Sequence, residues 1–331
     1  MNSPLESSSF GLRELHLPAP AKINLFLHVT GRRADGYHEL QTVFQFLDYC
    51  DQLRLERRDD GKVVRVCGPA TVSPEADLCV RAARTLKQAT GCRLGADIAV
   101  TKRLPMGGGI GGGSSDAATA LHGLNLLWGL GLDHDALSDL GLDLGADVPV
   151  FVRGQAAFAE GVGEKLSPVS PPCPWYLLVH PGFGVNTGGV FADDALTRCT
   201  PPLTIPALFL GTSAARSSSE NSGVVPYDVL RRLHSCTTND CEAVVRRTHP
   251  EVAEAMAWLS NQPGVVTPAR MSGAGSSVFA PFESDTEAQL AHSRLPARWR
   301  GVVARAVNQS PLMAALNRVA SACGPASRPN R

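Results

Sequence analysis

The chain has 331 residues, of which 44% are apolar, a length that suits two domains with sizeable cores. Lysine plus arginine equals aspartate plus glutamate at 31 each, so the formal net charge is zero. That excludes a general nucleic-acid binder, which needs an electrostatic footprint, but leaves room for a local cluster that takes a small anion. Residues 1–20 lack the basic start and apolar stretch of a signal peptide, and Ser7, Ser8 and Ser9 read as a flexible lead-in. Residues 21–30 predict a strand, with Ile23, Leu25, Leu27 and Val29 on one face and Asn24, Phe26 and His28 on the other. Ala34-Asp35-Gly36 is a turn, and residues 40–47 and 52–58 predict two more strands. Residues 76–90 have helical period, placing Leu78, Ala82, Leu86 and Ala89 on one face. A short strand at 97–101 runs into a glycine-rich loop at 107–113 and a helix from about Ser114 to Leu127. A helix is expected at 135–142 and, from its β-branched apolar run, a strand at 148–152. Pro168, Pro171, Pro172 and Pro174 crowd together and suggest a change of domain before a strand at 175–180. Residues 201–225, rich in Pro, Ser, Thr and Gly, read as a mobile surface loop. Residues 242–259 are helical with a break at Pro250, and a strand at 278–282 closes a second unit.

These elements predict an α+β fold with domains at 16–165 and 166–315, and flexible tails at 1–15 and 322–331. There are no internal repeats. No apolar run approaches the roughly 20 residues of a membrane-spanning helix. The nine cysteines are an odd, scattered set without a Cys-x-x-Cys pair. They read as reduced thiols, so a soluble, cytoplasmic protein without membrane or nucleic-acid partners is expected.

The strongest local signal is Pro105-Met106-Gly107-Gly108-Gly109-Ile110-Gly111-Gly112-Gly113-Ser114-Ser115-Asp116. Its six glycines remove every Cβ that would hold a backbone away from a ligand. The helix that follows offers free N–H groups and a partial positive charge, an anion site suited to nucleotide phosphates. Ser114 or Ser115 is expected to cap that helix, and either hydroxyl could approach Mg²⁺. A flexible linker would also be glycine-rich. No Gly-Lys-Ser/Thr ends the run, so it is not a Walker A loop. Gly107, Gly109 and Gly112 satisfy Gly-x-Gly-x-x-Gly, but Lys102-Arg103-Leu104-Pro105 separates them from the preceding strand, unlike a dinucleotide-binding fingerprint.

Two further motifs flank this loop. Pro20-Ala21-Lys22-Ile23-Asn24-Leu25 opens the first strand, and Gly145-Ala146-Asp147-Val148-Pro149-Val150-Phe151 lies downstream. Near the end, Met271-Ser272-Gly273-Ala274-Gly275-Ser276-Ser277 makes a second Gly/Ser turn. In this order the motifs resemble the galactokinase, homoserine kinase, mevalonate kinase and phosphomevalonate kinase (GHMP) superfamily. Residues 21–27, 34–40, 102–115 and 141–163 are most similar to its branch that phosphorylates the 2-hydroxyl of a cytidine-diphosphate-linked methylerythritol, in the non-mevalonate route to isoprenoid precursors. The resemblance spans about Pro20 to Pro311 and fades between Pro201 and Val225.

The resemblance implies a two-domain kinase fold with ATP, Mg²⁺ and acceptor in the interdomain cleft, acting as a monomer or homodimer. It implies that the segment from Gly301 to Pro311 packs back on the first domain. It matches Lys22 and Asp147 to a catalytic pair, the loop from Pro105 to Ser115 to the ATP phosphates, and Lys102 to a residue beside the nucleotide. Asn24, Tyr37 and His38 match residues near the acceptor, and Phe191 matches an aromatic over the cytosine ring. Asp77 stands where the family often has Asn, which leaves the adenosine contact open.

The residue types suit that chemistry. Phosphoryl transfer needs positioning and charge stabilisation, with a carboxylate such as Asp147 to take the alcohol proton. Lys22 would stabilise charge on the acceptor oxygen or γ-phosphate. Alone, an Asp after Gly-Ala is usually only a turn or cap residue, and a Lys at a strand start is normally a solvated one. Tyr37 and His38 could stack on a pyrimidine and read its edge, or could be a Tyr packed under a hairpin beside a solvent-facing His. Phe191 alone suits a core. A GHMP kinase for homoserine or mevalonate, and a nucleotide-binding module without catalysis, remain as alternatives. The intact Lys22 and Asp147 argue against the second, and a turn built to stack a base argues against the first.

Overall fold

Glu14–Arg32 forms one strand, β1, and His38–Arg58 a second, β2, paired antiparallel along their lengths. The turn between them closes where Arg33 N–H donates to the Tyr37 carbonyl (2.7 Å) and Gly36 takes φ +89°. The computed structural model describes residues 12–204 and 227–322. Most of the 201–225 loop and most of both tails lie outside the described residues. Glu14 and Leu15, expected in the tail, are part of β1, and Leu15 is buried.

After β2 come β3 (Val63–Cys67), α1 (Leu78–Thr90), β4 (Gly95–Thr101), α2 (Gly112–Leu127), α3 (His134–Leu142) and α4 (Val148–Arg153). Then follow β5 (Ala157–Glu160), β6 (Lys165–Pro168), β7 (Trp175–His180) and α5 (Thr187–Ala192). The second half continues with α6 (Tyr227–Cys236), α7 (Asp240–Thr248), α8 (Pro250–Ser260), β8 (Arg270–Met271), β9 (Val278–Phe282) and α9 (Asp285–Ser293). It ends with β10 (Arg300–Val307) and α10 (Pro311–Ala322).

The strands form one sheet in the order β3-β4-β2-β10-β7-β9-β8, with β1 and β5 also on β2 and β6 on β5. β10 joins the halves. Its residues 300–305 pair with β7, and Ala306 and Val307 pair with Leu47 and Phe46 of β2. One core packs α1, α2 and α4 on the first half through Leu17, Phe46, Leu55, Ile98 and Leu121. A second packs α7, α8 and α9 through Leu177, Val245, Leu259 and Phe282. Between them lies a seam of Ile23, Phe26, Leu47, Ile110, Tyr176 and Phe279. β1 is therefore buried on both faces from Ala19 to Val29, and its alternation does not separate core from solvent.

Two expectations need correction. The strands expected at 40–47 and 52–58 are one continuous β2. Residues 148–152 form the helix α4, not a strand. A short apolar run cannot be assigned by period, and Pro149 suits a helix's first turn where a central strand would lose a ladder bond. The last segment, β10 with α10, returns to the first half, where Leu312, Met313 and Ala315 enter the core beside α2.

Leu312 is fully buried. Leu312→Ala is expected to cost about 2–5 kcal/mol of stability, read from urea unfolding. A loss below about 1 kcal/mol would show that α10 is not part of the first core.

Candidate active site

The β1–β2 register shifts between Pro20 and Lys22, which pair with Cys50 and Phe46, so two extra residues bulge on β2 opposite this point. Lys22 N–H donates to the Ile110 carbonyl (3.0 Å), which ties β1 to the glycine-rich loop. The Lys22 side chain is only 3% exposed. Its Nζ donates to Asn24 Oδ1 (2.6 Å) and the Gly109 carbonyl (3.3 Å), and lies 3.2 Å from Asp147 Oδ2. The Phe44 ring lies under it, 5.1 Å to the centroid. Asp147 sits just before α4 and is 35% exposed.

The glycine-rich loop is built for backbone contact on its inner side. Gly109 has φ +74°, and a Cβ there would lie 2.1 Å from the Ser272 carbonyl oxygen. At Gly111, φ +75°, a Cβ would meet Phe151 Cζ at 2.6 Å and Lys22 Cε at 3.2 Å. The Gly/Ser turn near the end of the chain supports this loop. Ser272 Oγ donates to the Gly109 carbonyl (2.9 Å) and accepts from Asn24 N–H (3.2 Å). Ser277 N–H donates to the Gly108 carbonyl (3.1 Å). Arg270, nearly fully buried, anchors the start of the turn by donating to the carbonyls of Leu25 (2.7 Å), His234 (3.1 Å) and Thr237 (2.6 Å). Burial lowers its pKa to about 10.

α2 begins at Gly112 behind the N-cap Gly111, which carries no side-chain cap. The expectation that Ser114 or Ser115 caps this helix is thus corrected: the helix starts before them. The Ser115 hydroxyl is buried without a hydrogen-bond partner among the described residues.

These elements surround a cleft of about 880 Å³. Lys22, Asn24, Tyr37, His38, Lys102, Pro105, Met106, Ser114, Asp147 and Phe191 all line it, as do the six loop glycines. Ile110 instead packs in the seam, and Ser115 is fully buried. Tyr37 is 64% exposed at the tip of the β1–β2 turn. It is His38, not Tyr37, whose ring lies against Phe191, with centroids 5.2 Å apart and planes at 35°.

Lys102 bridges two carboxylates, Asp51 and Asp116, the latter at 2.7 Å. Asp51 also accepts N–H bonds from Arg103 (2.5 Å) and Leu104 (2.8 Å), whereas Asp116 Oδ1 has no partner among the described residues. Burial therefore raises the Asp116 pKa, with Lys102 pulling the other way. Burial also opposes the Lys102 ammonium, but the two carboxylates outweigh it and its pKa rises. Asp77 caps α1 by accepting from Cys79 N–H (2.9 Å) and pairs with Arg65 (3.0 Å). Sequence reasoning missed Phe44, Asp51, Asp116 and Arg65 as site residues. Each reads locally as an ordinary core or surface position, and only Asp116 lay within a recognised motif, as its last residue, without a role assigned to it.

No helix among the described residues is long and apolar enough to cross a membrane, and no group of three or more His, Cys, Asp or Glu there could hold a metal. The chain matches the GHMP kinases N terminal domain over residues 77–155 and the GHMP kinases C terminal model over 228–301. It is 52% identical to a 4-diphosphocytidyl-2-C-methyl-D-erythritol kinase of Alkalilimnicola ehrlichii, covering 91% of this chain and 94% of that one. It is 53% identical to the same kinase of Halorhodospira halophila over 89% and 94%. The chain belongs to the 4-diphosphocytidyl-2-C-methyl-D-erythritol kinase family. The crystal structure of a 4-(cytidine 5'-diphospho)-2C-methyl-D-erythritol kinase superposes with TM-score 0.71 at 33% identity, covering 88% of this chain and 99% of that chain. A homoserine kinase from Cytophaga hutchinsonii, at 15% identity and TM-score 0.64 over 94% and 99%, shares the fold. The two-domain GHMP fold and the kinase activity follow from this membership.

In this kinase the inner side of the loop cannot accept a side chain at Gly109. Gly109→Ala is expected to lower turnover at least about 100-fold, because backbone must move at both Gly109 and Ser272. Gly112→Ala, whose added Cβ would meet only side-chain atoms at 3.3 Å or more, should be far milder. Steady-state ATP consumption with thermal unfolding as a control separates the two, and equal effects would discount the steric argument.

Proposed function

We propose that Lys22 and Asp147 carry phosphoryl transfer from ATP to the 2-hydroxyl of 4-diphosphocytidyl-2-C-methyl-D-erythritol in this chain. The overall reaction, giving the 2-phosphate and ADP in the non-mevalonate route to isoprenoid precursors, is that of its family. The 2-carbon also bears the methyl branch, so the acceptor is a tertiary alcohol and needs help to lose its proton. The observation that carries the reading is the 3.2 Å Lys22–Asp147 pair in the cleft. Among the described residues three carboxylates line that cleft: Asp77, Asp116 and Asp147. Asp77 and Asp116 are buried against Arg65 and Lys102. Asp147 is the accessible one, and so the base.

In this reading Asp147 takes the 2-hydroxyl proton while the oxygen attacks the γ-phosphorus. The bond from that phosphorus to the β–γ bridging oxygen breaks, and ADP leaves. Lys22, already desolvated, stabilises the charge that develops on the acceptor oxygen and the transferring group. The glycine-rich loop and the start of α2 receive the phosphates on backbone N–H groups. Mg²⁺, when bound, neutralises charge on the β- and γ-phosphates. Ser114, in the cleft, and the partnerless Ser115 hydroxyl are the side chains suited to hold it, together with the nucleotide's own oxygens. Lys102 would lie beside the nucleotide. Asn24 orients Lys22 near the acceptor, and Tyr37, His38 and Phe191 take the cytosine ring. We place the reaction in the cytoplasm, in keeping with eight described cysteines that are all free thiols.

Asp147→Asn is expected to lower kcat by about 10²-fold or more while leaving the ATP affinity within a few-fold. Near-native turnover at saturating substrate would rule Asp147 out as the base. Adding Lys22→Ala to it should lose less than the product of the two single effects, since the pair acts as a unit.

Stacking of one base is worth about 1–3 kcal/mol in single-strand nucleic-acid sites, which sets the scale for the cytidine wall. Tyr37→Ala should raise KM for the cytidine-linked acceptor about tenfold and leave KM for ATP nearly unchanged. Free methylerythritol should be a very poor substrate, because remote binding energy no longer orients its hydroxyl. An unaltered acceptor KM in Tyr37→Ala would remove the case for this wall.

A further inference from the structure

Arg198 lies behind the acceptor wall and touches both of its sides. Its Nε donates to His38 Nε2 (3.2 Å). Its Nη2 donates to the carbonyls of Phe191 (3.1 Å) and Asp193 (2.7 Å), and its Nη1 to that of Leu196 (3.3 Å). Arg198 thus ties the end of α5 to the first residue of β2. The far side of this segment is anchored in turn, since both Asp193 carboxylate oxygens accept from Arg247 (2.7 and 2.8 Å) and Oδ1 also accepts from Ala195 N–H (2.9 Å).

A guanidinium carries only donors and stays charged in proteins. The His38 nitrogen facing it must therefore present a lone pair. An imidazole with its lone pair on Nε2 is neutral and carries its proton on Nδ1. The electrostatics agree: burial and then the cations of Arg198 and Arg32 lower the His38 pKa. Among the described residues no carboxylate is hydrogen-bonded to this ring.

We propose that Arg198 is a positioning residue that locks His38 in its Nδ1–H form and fixes Phe191 beside it, so that the acceptor pocket offers a base edge one imidazole donor and no acceptor. This rests on reading the Tyr37–His38–Phe191 wall as the cytidine site. Cytosine has an acceptor at N3, where uracil has an N–H. A ring held as a donor matches the first and opposes the second. A ring free to change tautomer would serve either base.

The test uses the full-length kinase labelled with ¹⁵N-histidine. Two-bond ¹H–¹⁵N correlation, assigned by comparison with His38→Gln, reads which nitrogen of His38 bears the proton. The expected result is Nδ1–H in the native chain and a mixture of tautomers in Arg198→Met. Kinetically, Arg198→Met should raise KM for the cytidine-linked acceptor about tenfold and leave KM for ATP within about twofold. Its preference for that acceptor over the uridine-linked analogue should fall about tenfold. Arg198→Lys, with its charge kept but its fork lost, should fall between. A merely structural role would lower the thermal midpoint without moving the tautomer or the base preference. A native His38 protonated on Nε2, or an Arg198→Met enzyme with unchanged base preference, would overturn the proposal. If Tyr37→Ala left the acceptor KM unaltered, the pocket assignment would fall while the tautomer result stood.

Discussion

Lys22 is a charged group taken out of water, and such a group persists only where partners replace its hydration. Its ammonium is met by Asn24 on its own strand, by the Gly109 carbonyl of the glycine-rich loop, and by Asp147 at the start of α4. These come from three separate stretches of chain. Only one arrangement of β1, the loop and α4 satisfies them together, so the needs of one buried cation assemble the reactive centre. Beside it the β1–β2 ladder is irregular, with two extra residues on β2 between the partners of Pro20 and Lys22. Phe44 beneath it adds a face that suits a cation and admits no competing donor.

The glycine-rich loop answers two demands at once. Outward, bare backbone can approach phosphate oxygens. Inward, it packs against backbone of the other half so closely that Gly109 tolerates no Cβ. The Gly109 carbonyl receives both the Lys22 ammonium and the Ser272 hydroxyl. The three motifs are therefore one hydrogen-bonded object and not three neighbours. Arg270 holds the far end of it by spending its donors on carbonyls, a role open to a cation that cannot readily lose its proton.

Charge around the cleft is divided by function. On the nucleotide side the acidic groups Asp77, Asp51 and Asp116 are bound to Arg65 and Lys102. Among the described residues lining this part of the cleft, this leaves no unpaired carboxylate to repel the phosphates proposed to bind there. On the side proposed for the acceptor, burial and then the cations of Arg198 and Arg32 lower the His38 pKa. Asp147, between the two, keeps access to solvent and to the cleft. An accessible carboxylate beside a buried cation suits the base role proposed for Asp147 in transfer to an alcohol.

The sequence by itself determined the local chemistry. Six glycines before a helix carry their physical argument in the residue type alone, whereas Lys22 and Asp147 stood out through the family resemblance, since each alone also reads as an ordinary strand-start or turn residue. It also determined the long helices α1 and α2 and the strands β4, β7 and β9, whose periods are set by their own residues. Tertiary structure decided what depends on residues distant in the chain. Whether the apolar run at 148–152 is helix or strand turns on its packing against α2 and α3. That β10 and α10 return to the first half turns on sheet pairing, which no local pattern encodes. The start of α2 at Gly112 was hidden because glycine is a poor helix former in isolation, and there the fold overrides propensity. Asp51, Asp116, Arg65 and Arg198 gave little or no signal because each matters only through a partner 12 to 160 residues away. An ion pair or a fixed tautomer is a relation between two side chains, and only the folded chain brings the two within reach.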